Sequence, residues 1–200
     1  AWRDYEAGKG VSGIQLPAGM RFNQRFDTPL LTPSTKAERG DHDEPIASED
    51  VVRRGLVEEK LWHEVEETAQ ALFRRGSELV AERGLILVDT KYEFGILDGR
   101  LVLIDEVHTP DSSRFWFQDT YQELFEAGDK QRKIDKEYLR QWLMEKGYMG
   151  TGTPPHIPDA VRVEVAWRYV QAYQLITGTD FLASGTSAEA EEEHILSYLP

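Results

Sequence analysis

The sequence predicts an α+β fold in which an antiparallel sheet packs with helices. A helical pattern of apolar residues runs from about residue 49 to residue 83. Two strand patterns follow at residues 85–97 and 101–107, and Asp98-Gly99 between them is a strong signal for a hairpin turn. Further helical patterns occupy residues 119–127, 135–146 and 158–177. A hairpin with helices before and after it is typical of the α+β class.

The chain begins with a segment, residues 1–48, that is rich in glycine and proline. It contains two strand-like pieces, VSGIQL and PLLT, and a polar run, TPSTKAERGDHDEPIAS, which predicts a long ordered or functional loop. The helix that follows places Leu61, Val65 and Leu72 on one face, with Glu and Arg on the other. Gly84 comes after a basic last turn and is expected just beyond the end of this helix.

The C-terminal part has clear helix boundaries. In GYMGTGTPPHIPD, proline and glycine prevent regular structure, so this segment is a connector. Pro158 suits the first turn of the next helix, and Gly178 suits its end near Thr177. The tail, residues 186–200, is acidic and is expected to form a peripheral helix or a loosely held end.

Composition and charge exclude several classes of protein. The 200 residues are 40% hydrophobic and carry 36 acidic against 23 basic side chains, a net charge of −13. This balance argues against a general nucleic-acid binder, which needs clustered Lys and Arg to neutralise phosphates. No apolar run approaches the roughly 20 residues that span a bilayer, so no membrane association is expected. The absence of cysteine excludes disulfides and thiolate metal sites and agrees with a reducing cytoplasm.

Charged residues alternate at the start of the hairpin. Asp89, Lys91 and Glu93 occupy every second position, so a continuous strand would place them on one face. The commonest meaning of such alternation is a solvated sheet face. The second strand, however, is apolar until Asp105-Glu106, at the same end of the hairpin as Glu93. Carboxylates from two paired strands beside a lysine are a standard arrangement for holding Mg²⁺ against phosphate oxygens.

The register of the hairpin decides whether Glu93 and Asp105 face each other. A two-residue turn would pair Glu93 with Ile104 and leave Asp105 opposite Tyr92, on the other face. A three-residue loop, residues 98–100, would place Glu93 directly opposite Asp105. We expect the three-residue loop, since a shared metal requires it.

Two loops carry further polar groups. The segment PDSSRF reads as a turn, and it also offers hydroxyls, backbone N–H groups and one Arg that could bind a phosphate or carboxylate. The run KAERGDHDE reads as a solvated loop on composition alone. The five histidines have no zinc-binding spacing, and neither GKGVSG nor GTGTPP ends as a P-loop does.

Long segments of the chain resemble the SAICAR synthetase family of purine biosynthesis. They are DTKYEFG, LVLIDEVHTPDSSRFW, LLTPSTKAERGDHDEPIAS, DKEYLRQWL and GYMGTGTPPHIPDAV. The resemblance implies two α+β lobes with ATP in the cleft between them, distantly like kinase and ATP-grasp folds. It also implies an N-terminal lobe ahead of AWRDY that holds a glycine-rich nucleotide loop and a substrate motif with Arg and Ser, so we expect this chain to be roughly the last two-thirds of the enzyme. Residues 1–48 would then form the end of the first lobe and the cleft loop, residues 49–185 the ATP-, Mg²⁺- and substrate-binding lobe, and residues 186–200 the tail.

The resemblance implies an ATP-dependent ligase that joins CAIR, 5-amino-1-(5-phosphoribosyl)imidazole-4-carboxylate, to L-aspartate through an acyl phosphate. ATP, CAIR and L-aspartate would be its small-molecule partners, Mg²⁺ its cofactor and the cytoplasm its compartment, with a homo-oligomer left open. The site residues it implies fall into four groups. Lys91 and Asp89 would be catalytic, Glu93 and Asp105 would bind the metal, Asp111, Ser112, Ser113, Arg114 and Lys36 would bind substrate, and Lys91, Glu93, Asp105 and Asp43 would face the nucleotide.

Two other functions stay open at this stage. A kinase-like phosphotransferase would use the same carboxylate pair, although the chain lacks an HRDxxxxN catalytic loop. A non-catalytic lobe that needs an absent N-terminal partner is the second alternative.

Overall fold

The computed structural model describes residues 2–36, 43–134, 137–182 and 187–197, and it confirms the α+β class. The helices within these residues are α1 (Trp2–Glu6), α2 (Ser48–Arg53), α3 (Glu59–Ala81), α4 (Gln118–Ala127), α5 (Glu137–Glu145), α6 (Asp159–Thr177) and α7 (Ala188–Leu196). The strands are β1 (Leu85–Thr90), β2 (Glu93–Leu97), β3 (Arg100–Ile104), β4 (Ser113–Phe117) and β5 (Lys133–Ile134).

A three-stranded antiparallel sheet in the order β1-β4-β5 supports the core. The core residues Val80 of α3, Leu85 and Leu87 of β1, and Phe115 of β4 are all buried. Leu85 and Leu87 lie two positions apart and so point to the same face of the sheet, against α3. Partly buried apolar side chains of α3, β4, β5 and α6 complete this core, namely Phe73, Phe117, Ile134, Leu175 and Ile176.

A β-bulge interrupts the pairing of β1 with β4. Leu87 pairs with Phe115, but Asp89 and not Val88 pairs with Arg114. The extra residue shifts the rest of β1 by one position, which exchanges the faces of the residues beyond it. Asp89 therefore leaves the face of Leu85 and Leu87 and lies opposite the exposed Arg114.

The segment predicted as one strand, residues 85–97, is two strands in two sheets. β1 ends at Thr90 and pairs with β4, whereas β2 begins at Glu93 and pairs only with β3 among the described strands. Between them, the Lys91 backbone N–H donates to the carbonyl of Ser112 at 2.9 Å. The chain changes partner at Lys91 and Tyr92, so one uninterrupted alternation of faces does not extend from Asp89 to Glu93.

The helical pattern predicted from residue 49 to residue 83 is two helices, α2 and α3, whereas the predicted boundaries of α6 agree with the structure. Pro158 immediately precedes α6, and Gly178 ends it with a left-handed backbone of φ 69°. Among the residues described beyond position 182, the acidic tail forms α7. Across the described parts of the chain, no helix has the combination of length and apolar composition that a membrane span requires.

The N-terminal segment differs from the prediction of short strands. VSGIQL forms only a bridge between Val11 and Ile14, and PLLT lies in irregular structure. Two short segments on either side of residues 37–42 run antiparallel, with the Thr35 N–H donating to the Glu44 carbonyl at 2.9 Å. Residues 37–42 of the KAERGDHDE run lie outside the described residues. Because the two segments are antiparallel, Lys36 and Asp43 lie at the same end of the pair.

Candidate active site

One carboxylate, that of Glu93, binds two lysines at the start of β2. Lys36 Nζ lies 2.8 Å from Glu93 Oε2, and Lys91 Nζ lies 2.8 Å from Glu93 Oε1. Lys91 Nζ is also 3.5 Å from Asp43 Oδ2. We call these four residues the lysine–carboxylate cluster. It joins the loop that carries Lys36 and Asp43 to the junction between β1 and β2.

The two ammonium groups shift the titration of Glu93. Hydrogen bonds from Lys36 and from Lys91 lower the pKa of Glu93 from 4.5 to about 2. The hydrogen bond with Glu93 in turn raises the pKa of Lys36 and that of Lys91. All three side chains are therefore charged at neutral pH, which gives a site with fixed charges of both signs.

The expected pairing of Glu93 with Asp105 across the hairpin is wrong. β2 and β3 are joined by a two-residue turn in which Leu97 pairs with Arg100 and Glu93 pairs with Ile104. Both turn residues have positive φ, 50° at Asp98 and 72° at Gly99, as a type I′ turn requires. The backbone of this two-residue turn matches the right-handed twist of the strands, and this match makes it more stable here than a three-residue loop.

The position of Asp105 is set by its own backbone and not by the pairing of β2 with β3. Asp105 follows the last residue of β3 and has a left-handed backbone, φ 66°. A residue in this conformation breaks the alternation of strand faces, so the hairpin register no longer fixes where its side chain points. The charge of Asp105 contributes to the raised pKa of Lys36, which also binds Glu93. Glu93 binds Lys36 directly, whereas the charge of Asp105 is the smallest of the causes that raise the pKa of Lys36.

The carboxylates of the candidate site suit a Mg²⁺ ion that is also bound by a substrate phosphate. Mg²⁺ is commonly held by one or two carboxylates together with substrate phosphates and water. Glu93 and Asp105 could supply two such carboxylates. Within the ranges that the structure describes, no group of three His, Cys, Asp or Glu side chains is arranged to hold a metal. The residues therefore fit a cation bound jointly with a phosphate, and not a site built from protein alone.

Asp89, which was predicted to be catalytic together with Lys91, forms an ion pair with Arg114. Arg114 Nε donates to Asp89 Oδ1 at 2.8 Å, and its Nη2 donates to Asp89 Oδ2, so the pair is bidentate. The bulge in β1 creates this contact, because it places the two residues directly opposite each other on the exposed face. The carboxylate of Asp89 on the neighbouring strand thus holds the planar guanidinium of Arg114 in one orientation.

The predicted phosphate- or carboxylate-binding loop is a compact turn, which we call the hydroxyl loop, residues 109–113. Thr109 Oγ1 accepts hydrogen bonds from the backbone N–H groups of Asp111 and Ser112, at 3.2 and 3.3 Å. Ser113 is buried, and its hydroxyl donates to Thr90 Oγ1 at 2.8 Å. Thr109 also donates to the carboxylate of Glu106. The hydroxyls that sequence analysis singled out therefore first stabilise the loop itself.

A residue that sequence analysis left without a role, Tyr169 of α6, contacts this loop. Its hydroxyl donates to Asp111 Oδ1 at 2.8 Å. Burial, followed by the hydrogen bond to Asp111 and the nearby charge of Glu106, raises the pKa of Tyr169 to about 12. The apolar residues around Tyr169 suggested a helix that packs on the core, and no local sequence signal reveals a partner 58 positions away.

A second pair that sequence analysis missed supports the segment that carries Asp105. The Tyr92 hydroxyl and His108 Nε2 lie 2.5 Å apart, and both side chains are about half buried. The His108 ring packs against Gly76 of α3 so closely that a Cβ at Gly76 would lie 2.2 Å from it. Burial lowers the pKa of His108 and raises that of Tyr92 to about 12. A glycine inside a long helix is the one signal that could have indicated this close approach.

Comparison with known proteins gives the family. The sequence model of the SAICAR synthetase family matches residues 1–155. Phosphoribosylaminoimidazole-succinocarboxamide synthase of Bacteroides thetaiotaomicron is 45% identical over 204 residues, covering 100% of this chain and 65% of that protein. The protein of the same name from Legionella pneumophila (strain Paris) is 43% identical over 184 residues, covering 90% of this chain and 58% of that protein.

Solved structures agree with the sequence comparisons. The SAICAR synthase of Saccharomyces cerevisiae, solved in complex with SAICAR, superimposes with a TM-score of 0.77 at 34% identity and covers 92% of this chain and 57% of that one. SAICAR synthetase from Pyrococcus horikoshii superimposes with a TM-score of 0.54 at 25% identity, over 79% of this chain and 56% of that one. The chain spans 65% of the length of the Bacteroides relatives it matches. By its sequence over residues 1–155 and by its fold, the chain belongs to the SAICAR synthetase family.

Proposed function

We propose that the natural gene product containing this chain is an ATP-dependent ligase that joins CAIR to L-aspartate, forming SAICAR, ADP and phosphate. The observation that carries the proposal is the lysine–carboxylate cluster, in which Glu93 binds Lys36 with one oxygen and Lys91 with the other. Fixed positive charges beside carboxylates suit the transfer of a phosphoryl group between anions. A reducing compartment such as the cytoplasm agrees with the cysteine-free sequence.

In the first half of the reaction, a carboxylate oxygen of CAIR attacks the γ-phosphorus of ATP, and ADP leaves. The product is an acyl phosphate. Lys91 and Lys36 would neutralise the oxygens of the migrating group, and Asp43 would orient Lys91, which lies 3.5 Å from it. Glu93 and Asp105 would hold Mg²⁺, which supplies further charge neutralisation. Glu93 would exchange one of its two lysine contacts for the cation, since each of its oxygens binds a lysine.

In the second half, the amine of L-aspartate attacks the acyl carbon and phosphate leaves with the bonding electrons, while the amine loses a proton. The groups proposed to bind CAIR and aspartate are the hydroxyl loop with Asp111, Ser112 and Ser113, and the neighbouring pair of Arg114 and Asp89. They are adjacent to the phosphoryl-transfer residues, since the Lys91 N–H bonds the Ser112 carbonyl at 2.9 Å. This adjacency would keep the acyl phosphate near the amine and away from water.

The test is a turnover assay of the natural gene product with CAIR labelled with ¹⁸O in its carboxylate. We expect ADP formation that requires CAIR and aspartate together, with one ¹⁸O atom appearing in each phosphate released. The label moves because the phosphate leaves with an oxygen that began in the carboxylate.

Two results would contradict the proposal. ADP formation with a phosphorylated hydroxyl and no free phosphate would indicate a kinase-like phosphotransferase. Amide formation without ¹⁸O in the phosphate would exclude the acyl phosphate. The control omits aspartate, and without it no SAICAR is expected.

A further inference from the structure

We propose that Tyr169 of α6 is a positioning residue for the substrate-binding loop, an inference that rests on the proposed function. Its hydroxyl donates to Asp111 Oδ1 at 2.8 Å, and this bond joins two parts of the chain 58 positions apart. Tyr169 would act through Asp111 and not by touching the reacting atoms. The sequence model of the family ends at residue 155, before this helix begins.

The loop needs such a donor because acidic groups are crowded around it. Glu106 accepts a hydrogen bond from Thr109, the residue that organises the hydroxyl loop, and Asp111 lies two residues beyond Thr109. Both carboxylates act on the phenol of Tyr169. The phenol donates a hydrogen bond to Asp111 without adding a charge to the loop. The pKa of Tyr169, about 12, keeps its hydroxyl protonated at any pH at which the enzyme would work.

The rotation of α6 about its axis is fixed independently of this bond. Val161 and Ala172 are buried on the side of the helix that faces the protein. Arg168 lies 4.6 Å from the centre of the ring of Tyr138 in α5. Because these contacts orient the helix, Tyr169 reaches Asp111 from a rigid element. Rigid elements hold binding groups more accurately than loops do.

The test compares Tyr169→Phe with Tyr173→Phe in the natural gene product. Both residues are tyrosines of α6, one helical turn apart, and both are about 40% exposed. The Tyr173 ring contacts Phe181, and its hydroxyl makes no hydrogen bond to any residue that the structure describes. We expect Tyr169→Phe to raise the KM for CAIR, for aspartate or for both by about three- to tenfold. A change of this size corresponds to the loss of one hydrogen bond to a charged group in a partly exposed position. The KM for ATP and the melting temperature should stay unchanged, and Tyr173→Phe should leave all of these values unchanged.

A second measurement does not depend on activity. Amide hydrogen exchange in residues 109–114 should be faster in Tyr169→Phe than in the wild type, and unchanged in Tyr173→Phe. Equal exchange in all three proteins would overturn the inference, whatever the kinetics show. Unchanged KM values for CAIR and aspartate, or equal increases in all three KM values, would also overturn it. A wild type without CAIR- and aspartate-dependent turnover would contradict the proposed function instead, and the exchange result would still decide whether Tyr169 holds the loop.

Discussion

At the scale of single residues, Glu93 is the side chain on which most of the proposed chemistry depends. It is one-fifth exposed and binds a lysine with each oxygen. Glu93→Gln keeps the volume but removes the charge that Lys36, Lys91 and the proposed cation share. We expect kcat/KM to fall by about 100-fold or more, comparable to the loss of one preorganised electrostatic group. Steady-state kinetics at saturating Mg²⁺ measure this.

The matched control for Glu93→Gln is Glu123→Gln. Glu123 is exposed on α4 and forms no ion pair with any residue in the described part of the chain. The control should have wild-type kinetics. Near-normal turnover of Glu93→Gln at saturating Mg²⁺ would exclude Glu93 from the site.

The lowered pKa of Glu93 also predicts how stability depends on pH. In the folded protein this pKa is about 2, below its ordinary value of 4.5, so ionised Glu93 stabilises the fold above pH 4.5. That stabilisation is lost as the pH falls from 4.5 towards 2. The difference in free energy of unfolding between wild type and Glu93→Gln should therefore be constant above about pH 5 and shrink below it. Urea unfolding at a series of pH values measures the difference, and a difference that does not vary with pH would contradict the assigned ion pairs.

At the scale of elements, the sequence predicted the kinds of structure better than their registers. Helix boundaries at Pro158 and Gly178 follow from local chemistry, and so does the hairpin turn at Asp98-Gly99. The bulge in β1 could not be predicted, since it depends on which residue of β4 lies opposite. Periodicity alone gives Asp89 the same face as Leu85 and Leu87, which is the core.

The same limit explains the error at Asp105. We expected a three-residue loop because a metal shared by Glu93 and Asp105 required it. The hairpin has a two-residue turn, which matches the twist of the strands. The change of direction occurs at Asp105, whose backbone is left-handed. The family resemblance assigned Lys36, Lys91 and Glu93 to one active site but did not pair Lys36 with Glu93, and the structure places both lysines 2.8 Å from Glu93. Tyr169 and His108 were missed, because both act through residues distant in sequence.

The packing of His108 on α3 allows a test of how one helix supports the segment after β3. Gly76→Ala should stabilise an isolated helix by about 1 kcal/mol. Here the new Cβ would lie 2.2 Å from the His108 ring, which the Tyr92 hydroxyl holds at 2.5 Å. Overpacking of this kind costs about 1–3 kcal/mol, so Gly76→Ala should bring no stabilisation in the wild type.

Gly76→Ala should become stabilising when the His108 ring is removed. In a His108→Ala background the same substitution should stabilise the protein by about 1 kcal/mol in urea unfolding, since only the helical preference remains. Ser77→Ala, at the next position of α3, serves as the control and should have the same effect in both backgrounds. Equal effects of Gly76→Ala in the two backgrounds would mean that His108 does not pack on this helix in solution.

At the scale of the whole molecule, α6 belongs to the same core as the region that the family model matches. Leu175 and Ile176 of α6 pack against the buried cluster formed by α3, β1 and β4. This supports our proposal that residues 49–185 form one lobe. It also means that the helix carrying Tyr169 is anchored at its C-terminal end by the core and near its middle by the hydroxyl loop.

Leu175→Ala tests whether α6 contributes to the stability of the whole fold. Truncation of a partly buried leucine should lower the free energy of unfolding by about 2 kcal/mol, the lower end of the range for buried leucines. Leu182→Ala is the matched control, because Leu182 lies beyond the same helix and is 84% exposed, and it should change stability by less than about 0.5 kcal/mol. A single unfolding transition should persist in both variants, because the apolar residues form one cluster. If Leu175→Ala instead unfolded in two steps, or no more easily than Leu182→Ala, α6 would be a separate unit and would not belong to the core formed by α3, β1 and β4.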